Sequence, residues 1–306
     1  MAALLDSPFE LADDPLMLTY QSRTQWLGLP FSPPASRIVS LVPSLTESLF
    51  RIGAGDLLVG RTQYCLEPAG LVDRAEVIGG TKNIFLENIK ALKPDVVLAN
   101  REENVKRQVE ALAQDAAICL TDPLEPIDSV DLWLELGRIT GKSGAASREV
   151  RRIEMALKAA TSFSGAQQGP GPRFLYFVWK APWMLAGHDT YISRMLATAG
   201  FVNALPEEYR RFPRVEPEVL SEIPSDVHFY CSEPYDFILP QDLFPIDEKP
   251  WRPLDGDWFS SGNDLSATRV DSQKLSWYPS QTAEGLRYVL TLRGHFSGFM
   301  ERLSGK

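Results

Sequence analysis

From Arg37 onward short apolar runs alternate with amphipathic stretches, and that alternation restricts the fold more than any other feature of the chain. Arg37-Ile-Val-Ser-Leu-Val42 reads as a buried strand, and Ser44-Leu-Thr-Glu47 has the form of a capping box opening a helix over Leu45–Ile52 that stops at Gly53. Leu57–Gly60, Asp95–Ala99 and Ala117–Leu120 read as further strands. Helices are expected over Glu87–Leu92, Asn104–Ala113 and Ile127–Thr140. The same order recurs later without close sequence repetition. Arg173–Val178, Asp226–Cys231 and Thr268–Val270 are strand candidates, and Tyr191–Ala199 and Ser280–Thr291 are helix candidates. Strand–helix alternation means parallel sheets with right-handed crossovers.

Between the halves lies Ser143–Phe163, in which Val150, Ile153, Leu157 and Ala160 keep helical spacing until Gln167-Gln-Gly-Pro-Gly-Pro172 ends the pattern. Such a helix is a rod of roughly 30 Å. The fold class expected is therefore α/β: two Rossmann-like lobes joined by a single long rigid helix, with a ligand cleft between them. The boundaries expected are an N-terminal extension over 1–35, a first lobe over 36–140, the interlobe helix over 141–165 and a second lobe over 166–306.

The 306 residues suffice for two such lobes. With 31 Lys and Arg against 40 Asp and Glu, the net charge of −9 speaks against a general phosphate-backbone binder, so no nucleic-acid partner is expected. No apolar run is long enough to span a membrane. The stretch from Met1 to Leu18 has no basic start and carries Asp6, Glu10, Asp13 and Asp14, which is unlike a secretory leader. The expectation is a cytoplasmic protein as written, or a periplasmic one if a leader has been removed. Three widely spaced cysteines, Cys65, Cys119 and Cys231, read as buried thiols.

Three tempting motifs fail. Gly137-Arg-Ile-Thr-Gly-Lys-Ser143 is one residue short of a phosphate loop and joins two helices. Neither GxGxxG nor GxSxG occurs. The histidines His188, His228 and His295 share no helical face, and His228 sits in a strand and reads as core. No metal ligand set and no resident cofactor are expected.

What carries weight is where the polar and aromatic residues fall. Tyr64, Asn100-Arg101-Glu102-Glu103-Asn104, Trp179-Lys180-Ala181-Pro182-Trp183, Asp189-Thr190-Tyr191, Ser232-Glu233-Pro234-Tyr235 and Ser276-Trp277-Tyr278 all follow an expected strand or its next turn. In parallel α/β sheets these carboxyl-end loops converge on ligand. Flat apolar faces among a few charges suit a bulky planar ligand.

The blocks Arg37–Glu47, Val59–Tyr64, Ile78–Asn83, Leu86-Glu87 and Ala91-Leu-Lys-Pro-Asp-Val-Val-Leu-Ala-Asn100 resemble the helical-backbone (class III) substrate-binding proteins of ABC importers. The pattern is most similar to the cobalamin-binding branch and the helical backbone metal receptors. Pro182–Gly187, Asp189–Tyr191, Ala199–Asn203 and Ser276–Tyr278 continue it, so that it covers about residues 36–295. The resemblance implies a non-enzymatic protein holding cobalamin, haem or a ferric siderophore between two lobes, with an ABC permease as partner. It places ligand-facing aromatics at Tyr64, Trp183 and Phe212. Together with the strand-end residues the expected lining is Tyr64, Arg101, Glu102, Trp179, Lys180, Trp183, Tyr191, Phe212, Tyr235, Trp277 and Tyr278, with Arg101 and Lys180 meeting anionic groups. The pattern departs at Thr81 and Asn100, where cobalamin binders carry tryptophan. It also implies one docking carboxylate per lobe. Glu87 matches the first; the second position is Pro217, flanked by Glu216 and Glu218. A monomer is expected. The rival readings are a cytoplasmic enzyme using Glu102, Glu103, Asp189 or Cys65, and a sensor on the same scaffold. Pro240–Ser266 has no counterpart and reads as a loop wrapping the second lobe.

Overall fold

The structure, a computed structural model, describes residues 23–165, 170–245, 251–253, 256–261 and 265–303. The stretch on which the leader reading rests, 1–22, lies outside the described residues.

The first lobe is a six-stranded sheet. Its strands are β1 (Thr24–Gly28), β2 (Ile38–Ser40), β3 (Leu58–Arg61), β4 (Glu76–Val77), β5 (Val96–Asn100) and β6 (Ala117–Thr121), in the order β1-β6-β5-β2-β3-β4. All neighbours are parallel except β1, which runs antiparallel along the edge of β6 with Trp26 opposite Cys119. Ile38, Val39, Val96, Val97, Leu98, Ala99 and Ile118 are fully buried. That is why the central strands read as unbroken apolar runs: helices cover both faces of a parallel sheet. The covering helices are α1 (Pro43–Arg51), α2 (Leu86–Ala91), α3 (Lys106–Leu112) and α4 (Asp128–Thr140).

Within the expected N-terminal extension, β1 is anchored by its tryptophan. Trp26 stacks on Phe31 at 5.1 Å, lies under the Arg138 guanidinium at 5.3 Å and donates from Nε1 to Glu135 at 2.7 Å. The expected capping box does not form. Val42 is the N-cap, without a side-chain bond, because Pro43 takes the first helical position and brings its own preset φ. Ser44 is buried inside the helix, and Glu47 is freed to reach across to the other lobe.

α5 (Ser143–Gly165), 23 residues and about 34 Å long, leads from one lobe to the other. Its buried stripe is Ala146, Val150, Ile153, Ala156 and Ala160, a 3–4 spacing that faces α4 and the closing helix α9 (Thr282–Leu303). Gly141, at φ +68°, ends α4 in the left-handed conformation and makes the corner into α5, so the phosphate-loop lookalike is a helix–helix turn. Gly137 lets the two helices close in: a Cβ there would stand 2.6 Å from the Ala146 methyl.

The second lobe has β7 (Arg173–Trp179), β8 (Met184–Leu185), β9 (Val202–Asn203), β10 (Val227–Cys231), β11 (Arg252–Pro253), β12 (Trp258–Ser260) and β13 (Ser266–Val270). The order is β11-β12-β13-β10-β7-β8, with β9 beside β7. β7, β10 and β13 are parallel, and β12 and β11 extend the edge antiparallel. The described part of Pro240–Ser266 is thus sheet edge more than wrapping loop. It also fills the core, with Leu243 and Phe244 buried and the Trp251 ring 6.2 Å from His228. His228 is a neutral core residue, as its strand position suggests: burial pulls its pKa down to about 3. The remaining helices are α6 (Tyr191–Ala197), α7 (Pro217–Glu222) and α8 (Ser272–Ser276). α9 runs well past the expected end at Thr291, because Gly294 and Ser297 interrupt its apolar pattern but not its backbone.

Two sets of polar contacts fasten the lobes on the α5 side. Arg51 of α1 donates to Glu149 of α5 at 2.9 Å and to Glu284 of α9 at 2.7 Å, while Arg152 of α5 also holds Glu284. Deeper in, the hydroxyls of Ser129, Tyr191 and Thr282 form a closed triangle, with Tyr191 and Ser129 each 2.8 Å from Thr282 and 3.2 Å from one another. These ties join α4 of the first lobe to α6 and α9 of the second, so the two sheets meet at a fixed angle.

Candidate functional site between the lobes

In the first lobe β2, β3, β5 and β6 run parallel and end together. The segments leaving those ends are Leu41–Glu47, Thr62–Cys65, Arg101–Asn104 and Asp122. Asn100, fully buried at the end of β5, organises the third of these. Its side-chain oxygen accepts from the amides of Glu102 at 2.9 Å and Glu103 at 3.2 Å, and its nitrogen donates to Thr121 at 3.0 and 3.1 Å. Asn104 closes the loop, accepting from the Asn100 amide and donating to the carbonyls of Leu41 and Thr81. Both positions at which the resemblance would place tryptophan, 81 and 100, therefore serve to shape this loop.

The turn shaped by Asn100 presents Glu102 to the other lobe. Arg211 donates to Glu102 Oε1 at 2.6 Å and lies 3.9 Å from Asp122 Oδ1, and Asp122 Oδ2 is 3.4 Å from the Arg101 guanidinium. Arg211 sits at φ +56°, a conformation costly for a residue with a Cβ. The Asp189 carboxylate accepting its amide at 2.7 Å and the Gly187 amide donating to its carbonyl at 2.7 Å hold it there. Gly187 has to be glycine, since a Cβ would stand 2.5 Å from the Tyr209 carbonyl oxygen.

Burial raises the Glu102 carboxyl, partly offset by the Arg211 charge, with Asp122, Glu103 and Asp189 pushing the same way as burial. Glu103 is also raised, first by its surroundings and then by Glu233 of the second lobe, against the pull of Lys82. Its side chain is exposed to solvent. Further back, Gln281 donates to Glu47 Oε1 at 2.6 Å, and Glu47 Oε2 is buried with no hydrogen-bond partner. Burial lifts the Glu47 carboxyl above its ordinary range against the hydrogen bond of Gln281 and the charge of Arg51.

The expected lining residues divide into three groups. Tyr64 and Trp179 are open to solvent, 55% and 39% exposed, and Trp179 meets Tyr235 edge-on at 5.2 Å. Trp277 is half-buried, donating to Glu233 at 2.6 Å. Trp183 and Phe212 are half-buried against the second-lobe core, Trp183 packing edge-on against Phe177 at 5.4 Å and parallel to Phe237 at 6.4 Å. Tyr191 and Tyr278 are buried in the seam, their rings 4.7 Å apart. Tyr191 spends its hydroxyl on Ser129 and Thr282. Lys180 is held by Asp242 at 2.6 Å, with its ammonium 6.0 Å from the Trp183 ring. Of the residues that the sequence did not single out, Asp122 follows a strand end and obeys the same rule as the rest. Arg211 carries no local signal.

Cys65 is buried and takes part in a hydrogen bond with the Thr62 hydroxyl at 3.1 Å, and burial pushes its thiol up, away from a nucleophilic thiolate. Glu87 opens α2 with its carboxylate exposed, 3.3 Å from Lys90. Glu216 holds the N-cap position of α7 without a side-chain bond and Glu218 lies in its first turn, both on the surface. Among the described residues no helix is long and apolar enough to cross a membrane.

Comparison with known proteins agrees with this architecture. A vitamin B12-binding protein of Yersinia pestis (strain Pestoides F) is 27% identical over 260 residues, covering 82% of this chain and 90% of the relative. The periplasmic vitamin B12 binding protein BtuF of Vibrio cholerae superposes with a TM-score of 0.70 at 19% identity, over 88% of this chain and 99% of that one. The periplasmic heme-binding protein RhuT from Roseiflexus sp. RS-1 in apo form gives 0.66 at 18% identity, over 86% and 98%. The last two likenesses establish the fold, two α/β lobes on one long helix. The family profile described as periplasmic binding protein matches residues 38–234, well over half of the chain, and this protein belongs to that family.

Proposed function

We propose that this protein holds a bulky metal chelate of the cobalamin, haem or ferric-siderophore kind between its lobes and delivers it, as a monomer and without chemistry, to an ABC permease outside the cytoplasmic membrane. The observation that carries the reading is the pair of facing strand-end loops. Tyr64 and Arg101–Glu103 come from one lobe, and Trp179, Tyr235 and Trp277 from the other, on a fold whose relatives include vitamin B12- and heme-binding proteins. Exposed aromatic faces among charged groups are poor surface chemistry for solubility and good chemistry for a flat amphipathic ligand. Glu87 on one lobe and Glu216 or Glu218 on the other are the carboxylates offered to permease arginines, a pairing that fixes register more than it adds affinity.

Titration with cyanocobalamin, haemin and a ferric siderophore tests the reading. Trp179 and Trp277 stand at the cleft, so bound chelate quenches tryptophan fluorescence at micromolar ligand. Absence of quenching and of any spectral change with all three would overturn it.

A further inference from the structure

Tyr64 is an exposed ring on a tightly fixed piece of chain. It sits in the turn that leaves β3, where the Cys65 amide donates to the Thr62 carbonyl at 3.1 Å and both of those residues are fully buried. Arg61, the last residue of β3, is 7% exposed and turns its guanidinium onto this segment. Nη1 donates to the carbonyls of Cys65 at 3.1 Å and Thr62 at 3.4 Å, Nε donates to that of Val72 at 2.9 Å, and Nη2 bonds Asp73 at 3.0 Å. A planar fork of donors can serve several acceptors at once in a way that a lysine cannot. One arginine thus gathers both ends of the 62–73 loop. The Gln63 amide adds a bond to the Gly79 carbonyl at 2.8 Å, which brings the turn against the Gly79-Gly80 pair.

Gly80 is the second anchor. Unlike Gly79, it lies outside the left-handed region, so its backbone does not ask for glycine. A Cβ there would stand 3.1 Å from Tyr64 Cε2, with Gln63 Nε2 next at 3.7 Å and Tyr64 Cδ2 at 3.9 Å. The missing side chain leaves room for one side of the Tyr64 ring, and the rest of that ring stays open to solvent.

We propose that Arg61 and Gly80 are positioning residues for Tyr64: the guanidinium fixes the turn that carries the ring, and the bare Cα of Gly80 seats it, so that a chelate meets a preset aromatic surface. The proposal rests on the chelate-binding reading above and deepens it. A ring already ordered in the free protein has less freedom to lose when ligand arrives.

The experiment titrates cyanocobalamin, haemin and ferrichrome into the wild type, Arg61→Met, Gly80→Val and Tyr64→Ala, and repeats the first two substitutions in the Tyr64→Ala background. Aromatic contacts contribute about three- to tenfold in affinity, so Tyr64→Ala should weaken the tightest of the three probes by that factor. Arg61→Met and Gly80→Val should each weaken it by about threefold or more, and neither should have a further effect once Tyr64 is alanine. A merely structural role would carry the same loss into both backgrounds. Gly80→Val alters a residue of ordinary backbone conformation and carries the test if Arg61→Met folds poorly. The ring can also be read without ligand: a fluorinated tyrosine at position 64 should shift its fluorine resonance in both variants. Unchanged affinity for a probe that the wild type binds, equal losses with and without the Tyr64 ring, or an unmoved fluorine resonance overturns the proposal and leaves the chelate reading standing. No binding of any of the three overturns both.

Discussion

Replacing Arg51 by methionine removes the charge at the centre of the brace while keeping a long side chain. In the native protein its guanidinium bonds Glu149 and Glu284 at 2.9 and 2.7 Å, and the three side chains are 18%, 13% and 25% exposed. Hydrogen bonds to charged groups contribute about 1.5–3 kcal/mol each, and breaking a fully buried pair costs about 3–5 kcal/mol. Partial solvent access lowers the figure, and Arg152 remains to hold Glu284. The expected loss at neutral pH is therefore about 2–3 kcal/mol. Burial by itself would raise the Glu284 carboxyl, but the bond and charge of Arg51 outweigh it and hold the group below its usual range. A carboxyl depressed in the folded state stabilises above its unfolded pKa of about 4.3 and loses that contribution as pH falls through the folded value. The deficit of Arg51→Met is thus full at neutral pH and shrinks below about pH 4. Urea unfolding followed by tryptophan fluorescence, at constant ionic strength, reads both numbers. A neutral-pH deficit under about 0.5 kcal/mol, or one unchanged in acid, would refute the reasoning.

Arg211→Ala leaves Glu102 facing Asp122 and Glu103 without its closest cation. Burial already raises the Glu102 carboxyl, so the variant should lose about 1–2 kcal/mol at neutral pH and regain part of it in mild acid, as that carboxyl takes up a proton. Equal deficits at both pH values in urea melts would contradict this. Gly137→Ala drives a methyl to 2.6 Å from Ala146, where two helices are in contact, and should cost about 1–3 kcal/mol by the same assay; a neutral result would mean that α4 and α5 separate easily. All three thiols are buried, so native protein should react with a disulfide reagent far more slowly than urea-unfolded protein, and rapid labelling of Cys65 would reopen the nucleophile reading.

Much of this fold was legible because the strands of a parallel sheet are buried on both faces and the backbone helix is buried on one. Val96–Asn100 and Ser143–Gly165 carry those two patterns openly. The strand-end rule likewise brought Tyr64, Arg101, Glu102, Trp179 and Trp277 into view. It could not distinguish aromatics that open to solvent from those that seal the seam. Tyr191 and Tyr278 occupy the same kind of position in sequence as Trp277, and only the packing of α4 against α6 and α9 buries them. Ser44 and Glu47 look like a local pair, but the proline between Val42 and Ser44 takes over the helix start and Glu47 bonds a residue 234 positions away. Arg211 shows the same limit more sharply. Its left-handed backbone depends on Asp189 and Gly187, and its charge partner lies in the other lobe, so no window of sequence contains its role.

The central claim is that chelate lies between the lobes. Crystals grown with a cobalt corrinoid, and with an iron chelate for comparison, allow the metal to be placed directly by anomalous scattering. The account predicts a single anomalous peak between the Tyr64 and Glu103 side and the Trp179 and Trp277 side, with α5 an unbroken helix over Ser143–Gly165. A peak on the outer face of either lobe would contradict it.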